Sequence, residues 1–393
     1  MKIDLLYEMQ MLKPWTERSE YECYWQAFEQ ALLADRVGFD TFWEVEHHFL
    51  SEFSHSSAPE VFLAALATRT ERIRLGHGVT LLPYPFNHPI RVAERAAALD
   101  IMSDGRLEFG TGRSSLYEQE GFGIRFEESR DMWREALEVI PRMWTEDPFP
   151  GYQGRFFSIP ERSILPKPIQ KPHPPLWVAA TSPETWRIAG ELGIGALGLT
   201  LFLSVDEVAE QIRTYKQALQ NVRPVGKAVN DQVGAFTIVH CAETQAKARE
   251  NGGHDAALWY MKYAFQVLAA RGREVQKIGP YEEFRRAHPI IGKVVDGTVT
   301  FEELDAEDMV IVGDPDHCIE KLERYRKAGI DRVLCLMQAG RIPHKAVLRS
   351  IELFGRYVIP ALQGKKKREP ARRPAGRKVG KAGSGAGRKS ARR

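Results

Sequence analysis

The feature that most restricts the fold of this chain is an alternation, repeated eight times, of a short apolar run with a longer helical pattern. The runs are Lys2 to Met9, Thr41 to Phe49, Arg72 to Leu82 and Arg106 to Arg113, then Leu176 to Thr181, Ala196 to Leu201, Val233 to Cys241 and Arg332 to Met337. Apolar residues at helical spacing predict helices over Glu20–Val37, Pro59–Thr70, a segment opening at His88-Pro89, and Glu127–Trp144. Further helices are predicted over Pro183–Leu192, Val205–Gln220, Glu243 towards Ala270, Pro315–Ala328 and His344–Leu362. Strands alternating with helices call for a parallel sheet with crossover connections. Eight such units predict an α/β fold, the (β/α)8 TIM barrel, whose active site lies at the C-terminal ends of the strands.

Three polar clusters fall at such ends: Glu46-His47-His48, Gly112-Arg113-Ser114-Ser115 and Thr181-Ser182. The first follows Phe42, Trp43 and Val45, residues that suit a covered strand. On a strand continuing to Phe49, alternation points Glu46 and His48 one way and His47 the other, so one histidine faces a cavity and one stays in the wall. Taken alone the pair also reads as a polar rim. A zinc site wants three or four ligands at recognisable spacings, and no HExxH or CxxC lies near.

Thr181-Ser182-Pro183-Glu184-Thr185 closes a strand and opens a helix. Hydroxyls, free N–H groups and the positive helix end suit a phosphate there, with Arg113 as a further donor. The same residues are also ordinary helix caps. Gly76-His77-Gly78-Val79 puts small residues where a flat ring can lie on backbone, or where a barrel strand simply bulges.

The net charge of +3 hides an asymmetry. From Gly364 onward, 13 Lys and Arg against Glu369 alone make +12, which leaves −9 for the preceding residues. This tail (residues 363–393 as a unit, beyond a domain spanning 1–362) carries no aromatic residue and is expected to be disordered. It can touch nucleic acid or anionic surfaces through counterion release, without sequence preference. The acidic body argues against a folded nucleic-acid interface. Residues 271–309, charged and weakly periodic, interrupt the alternation between strands seven and eight and read as a lid over the barrel mouth. Four scattered cysteines, no apolar run near the roughly 20 residues of a membrane span and no signal-peptide pattern at Met1 set the expectation of a cytoplasmic protein without disulfides.

Glu46-His47-His48-Phe49, Leu82-Pro83 with His88-Pro89-Ile90-Arg91-Val92-Ala93-Glu94, and Leu99-Asp100 through Ser103, Gly105-Arg106 and Gly110 resemble the bacterial luciferase-like monooxygenase family. Ser182-Pro183-Glu184-Thr185, Val312-Gly313-Asp314-Pro315 and Ala328-Gly329-Ile330-Asp331 extend the resemblance, which runs in order over about residues 1 to 362. It implies a (β/α)8 barrel binding FMN, in which reduced flavin from a separate NAD(P)H:flavin reductase reacts with O2 to a C4a-(hydro)peroxide. That species then oxygenates a small organic substrate, an oxidoreductase reaction on paired donors. The resemblance further implies His47 as the catalytic histidine, flanked by Glu46 and His48. Arg113, Ser182 and Thr185 match phosphate-holding positions, with Ser114 and Thr181 also beside the flavin. Gly78-Val79 matches the segment under the flavin ring, often a non-proline cis peptide. A homodimer is implied as well.

The chain departs from luciferase proper at Thr181, where that protein has an acidic residue, and at Ser114-Ser115, which replace a Gly-Leu pair. These departures bear on light emission and aldehyde specificity, not on the flavin chemistry. The alternatives are a deazaflavin-dependent oxidoreductase of the same fold and a non-catalytic flavin-binding barrel.

Overall fold

The computed structural model describes residues 1–201, 203–269 and 289–364. Its sheet closes through eight parallel strands. They are β1 (Lys2–Tyr7), β2 (Thr41–Glu44), β3 (Arg74–His77), β5 (Leu107–Gly112), β8 (Leu176–Ala179), β9 (Gly195–Leu199), β10 (Val233–Cys241) and β12 (Arg332–Leu336). In this order each pairs with the next, and β12 returns to β1 with Lys2 opposite Arg332. The two-residue β4 (Thr80–Leu81) lies beside β5, and β6 (Tyr152–Gln153) and β7 (Ser158–Ile159) form a separate hairpin. Helices α1 (Ser19–Val37), α2 (Pro59–Ala67), α3 (Pro89–Met102), α4 (Leu116–Gly121), α5 (Phe126–Thr145), α6 (Pro183–Leu192), α7 (Val205–Leu219), α8 (Gln245–Glu250) and α9 (Gly253–Ala269) connect them. The eightfold alternation is the (β/α)8 barrel expected of it. No helix among the described residues is long and apolar enough to cross a membrane.

The barrel is a packed core, closed at its floor by large residues set against small ones. A Cβ on Gly76 would stand 2.3 Å from the Trp43 ring, and one on Gly195 equally close to Trp177. Gly76 therefore serves tryptophan packing, which answers one of the two readings open for that segment. The indoles meet edge to face at 5.7 Å, and the Arg332 guanidinium packs against both, 4.9 Å from Trp177 and 5.6 Å from Trp43. It donates to Asp4 Oδ2 and Thr41 Oγ1, both at 3.1 Å. Trp43 Nε1 also donates to Asp4 (2.9 Å), and Trp177 Nε1 to Glu108 (2.7 Å).

Several elements differ from expectation. Val310–Gly313 is a further strand, β11, parallel to Ile238–Cys241 at the far end of β10, which outgrows the barrel. The predicted helix from Glu243 is two helices, because Gly252 adopts a left-handed φ of 86° between α8 and α9. The last helix, from His344, widens to a π turn over Phe354–Val358 just before Pro360, which has no N–H for the ladder. Of the insertion at 271–309, residues 289–309 hold two short helices, Pro289–Asp296 and Phe301–Ala306, both against α9. The remainder of that insertion and the tail from residue 365 lie outside the described residues.

Candidate active site

β2 ends at Glu44, so residues 45–48 lie on a loop and strand alternation does not orient them. Hydrogen bonds do this instead. The His47 N–H donates to the Ser56 carbonyl (2.8 Å), and that of His48 donates to Glu118 Oε1 (2.8 Å). His47 borders a cavity of about 750 Å3 at the C-terminal end of the barrel. Its Nδ1 lies 3.0 Å from the same Glu118 oxygen. Burial alone would lower the pKa of His47. The Glu118 carboxylate outweighs this, helped by Glu8 and Glu46, and the pKa ends above its ordinary value. Glu118 is fully buried, yet His47, Ser114 and the His48 N–H overcome the burial cost and bring its pKa down to about 2.

Glu46 reaches the cavity edge, where its carboxylate accepts from the Leu81 N–H and from Asn87 Nδ2, both at 2.8 Å. His48 packs instead against Phe86 and Phe122, at ring distances of 5.9 and 4.8 Å. Its Nε2 is 3.5 Å from Glu46, and it does not border the cavity.

Glu118 was not among the residues singled out from the sequence. Its signal was legible: Ser115-Leu116-Tyr117-Glu118 is a capping box that opens α4, with Glu118 Oε2 accepting from Ser115 Oγ at 2.7 Å. A second unanticipated residue is Glu8, which follows β1 at the catalytic face. It is 4% exposed and borders the same cavity.

The opposite side is built from β5, β8 and α6. Ser182 caps α6, its Oγ 3.0 Å from Thr185 Oγ1 and accepting from the Thr185 N–H at 3.4 Å. Arg113 extends from β5 and donates to Ser129 Oγ (2.9 Å). Arg130, absent from the sequence reading, also borders the cavity and is paired with Glu184. Ser114 (φ 68°) and Thr181 complete this side. Gly78 and Val79 line the cavity too, joined by a cis peptide. The glycines before Arg113 have packing causes. A Cβ on Gly112 would meet Val79 at 2.4 Å, and one on Gly110 the His77 carbonyl at 2.1 Å.

One cavity thus has His47, backed by Glu118, at one wall and a candidate anion site at the other. The anion site combines two guanidinium groups, two hydroxyls and the N-terminus of a ten-residue helix, a donor set that fits a phosphate monoester. The cavity volume lies within the range of cofactor sites.

A (β/α)8 barrel whose mouth sets a half-buried histidine across from a cluster of anion-type donors narrows the class of protein, and the comparisons narrow it further. The family model for luciferase-like monooxygenases matches residues 12–332, and the chain belongs to that family. It is 30% identical over 351 residues to 4-hydroxyprotoasukamycin monooxygenase of Streptomyces nodosus subsp. asukaensis (86% of this chain, 87% of that one). It is 26% identical to the oxygenase component of the flavin-dependent trigonelline monooxygenase of Acinetobacter baylyi (93% and 97%). A more distant relative, 23% identical, is the F420-dependent glucose-6-phosphate dehydrogenase of Microbacterium testaceum (84% and 91%). Among solved structures, monooxygenase RslO1 from Streptomyces bottropensis superposes with a TM-score of 0.75 at 27% identity (92% and 100%). All are oxidoreductases, and the monooxygenases among them support flavin-dependent monooxygenation as the kind of reaction.

Proposed function

We propose that this protein is a monooxygenase that takes reduced FMN and O2, with a separate NAD(P)H:flavin reductase supplying the reduced cofactor. The observation that carries the reading is that one cavity is bordered both by His47 and by the anion site of Arg113, Ser182 and Thr185. A relative described as an oxygenase component supports the separate reductase. Arg113, Arg130, Ser182 and Thr185 would hold the phosphate, with Ser114 and Thr181 alongside, and Gly78-Val79 would floor the ring. When bound, reduced flavin supplies the electrons that activate O2.

The chain's own part is binding, water exclusion and proton control. With Nδ1 engaged by Glu118, Nε2 of His47 is the nitrogen that can hold or release a proton towards the cavity. The raised pKa keeps that proton available near neutral pH. Glu46 fixes the loop before β4 through the Leu81 N–H and Asn87. His48, held among phenylalanines, positions this wall instead of meeting the substrate.

The test is stopped-flow absorbance after photoreduced FMN and protein are mixed with oxygenated buffer. The expected result is a phase that outlives the reoxidation of free reduced FMN and shortens in His47→Ala. Reoxidation at the free rate in the wild type would overturn the reading, and binding of reduced deazaflavin in preference to FMN would establish the alternative.

A further inference from the structure

In the closed order of the barrel, β1 and β8 stand four strands apart and so face each other across the mouth. The anion site follows β8, and Glu8 follows β1. The space on the β1 side is walled by Phe53, by Phe236 of β10 and by Tyr260 of α9, with Leu6 and Leu334 beneath. Phe53 lies 5.1 Å from Tyr260 and stacks on Tyr263 at 5.6 Å and 8°. Phe236 lies 5.9 Å from Tyr260. Phe53, Phe236 and Tyr260 give this side an aromatic lining, which suits an aromatic occupant.

Glu8 is the carboxylate that follows β1 into this compartment, beside Tyr260 and near His47. Its Oε1 accepts from the Tyr260 hydroxyl (2.7 Å) and its Oε2 from Gln10 Nε2 (2.8 Å). The Gln10 amide is oriented by its own oxygen, which accepts from the Gly340 N–H at 2.9 Å. A carboxylate offers about four acceptor positions. Two are used here, and both partners are set to donate.

We propose that this compartment is the substrate subsite and that it takes planar aromatic molecules bearing a hydroxyl, which donates to the Glu8 carboxylate. The proposal rests on the monooxygenase reading and adds the substrate class to it. Burial raises Glu8 to about 7, while His47, Tyr260 and Gln10 act to lower it. A third donor from the ligand would lower it further. Such a ligand therefore prefers ionised Glu8 and binds less well as pH falls through about 7.

The experiment uses the full chain without cofactor and three probes of similar shape: 2-naphthol, 2-methoxynaphthalene and N-methylquinolinium. Calorimetry one unit below and one unit above pH 7 gives their affinities, and photoreduced FMN is titrated into the same samples without oxygen. The expected result is 2-naphthol binding roughly ten- to hundredfold tighter than its methyl ether, as a hydrogen bond to a charged group implies. That ratio shrinks at the lower pH and is lost in Glu8→Gln. An effect of His47 on the cavity as a whole falls on both neutral probes alike and leaves their ratio unchanged. Tyr260→Phe removes a donor to Glu8 and should shift the midpoint of the ratio to higher pH, a readout independent of whether Glu8→Gln folds. Equal affinity for naphthol and ether in the wild type overturns the proposal, as does tighter binding of the quinolinium cation. Binding of reduced FMN with no naphthol preference defeats this inference alone, whereas failure of reduced FMN to bind defeats the reading beneath it.

Discussion

The floor and the mouth of this barrel both bury charge, and they do opposite things with it. At the floor, Arg332 is fully buried against two tryptophans, paired with Asp4 and near Asp40 at 3.4 Å. At the mouth, His47 is also bound to a buried carboxylate, Glu118, but 26% of its side chain is exposed and it borders a cavity. Burial shifts the pKa in both places: Asp4 rises to about 7 even with Arg332 opposing, much as Glu8 does. A perturbed carboxylate therefore does not by itself mark a working group. What separates the two regions is room for a ligand, which the tryptophans remove from the floor and the polar loops leave at the mouth.

The largest expected effect sharpens the structural half of this contrast. Arg332→Ala leaves Asp4 without its cation and should cost about 3–5 kcal/mol of stability, read by denaturant unfolding. An unchanged midpoint would show that the floor charges are dispensable. At the mouth the order reverses: His47→Ala should reduce coupled product formation by about 10²–10⁴-fold, the usual worth of one acid–base group. Its unfolding midpoint should fall less than that of Arg332→Ala, because His47 is partly exposed and Glu118 keeps the His48 N–H and Ser115 Oγ as donors. Product yield equal to the wild type would remove His47 from the mechanism.

Across the cavity, Arg113→Ala should weaken FMN binding by roughly tenfold or more, the worth of one charge-assisted hydrogen bond, and weaken riboflavin binding far less. Equal losses for the two ligands would mean that Arg113 does not meet the phosphate. A subtler test concerns the pH range of the His47–Glu118 pair. His47 is raised from 6.5, so the stability of the pair is complete below 6.5 and is lost as pH rises through the raised value. Glu118 is lowered from 4.5 to about 2, so its contribution is complete above 4.5 and is lost as pH falls towards 2. The stability difference between wild type and Glu118→Gln should thus be greatest between pH 4.5 and 6.5. A difference that does not vary with pH would mean that the two groups are uncoupled. The smallest effect expected is that of deleting residues 364–393, which should leave turnover unchanged. A large loss would assign the tail a role its composition does not suggest.

Legibility from the sequence differed between elements. α6 spans Pro183–Leu192 as expected, because Ser182, Pro183 and Gly193 mark its two ends locally. β11 was missed because Val310–Gly313 is too short to tell from a connection until β10 extends to pair with it. At the site, the run Glu46-His47-His48 drew attention for its composition, but which member meets the cavity depended on where β2 stops. Gly76 looked like a gap left for a ligand until Trp43 was seen to fill it.

The sequence alone determined the eight strand–helix units, hence the barrel and the face on which its polar strand ends gather, because periodicity and capping act over a few residues. Only the tertiary structure decided which distant groups share a microenvironment. Glu118 reaches His47 across 71 positions, and Tyr260 reaches Glu8 across 252. Charge and hydrogen bonding depend on separation in space, which closure of the sheet sets and no local pattern along the chain encodes.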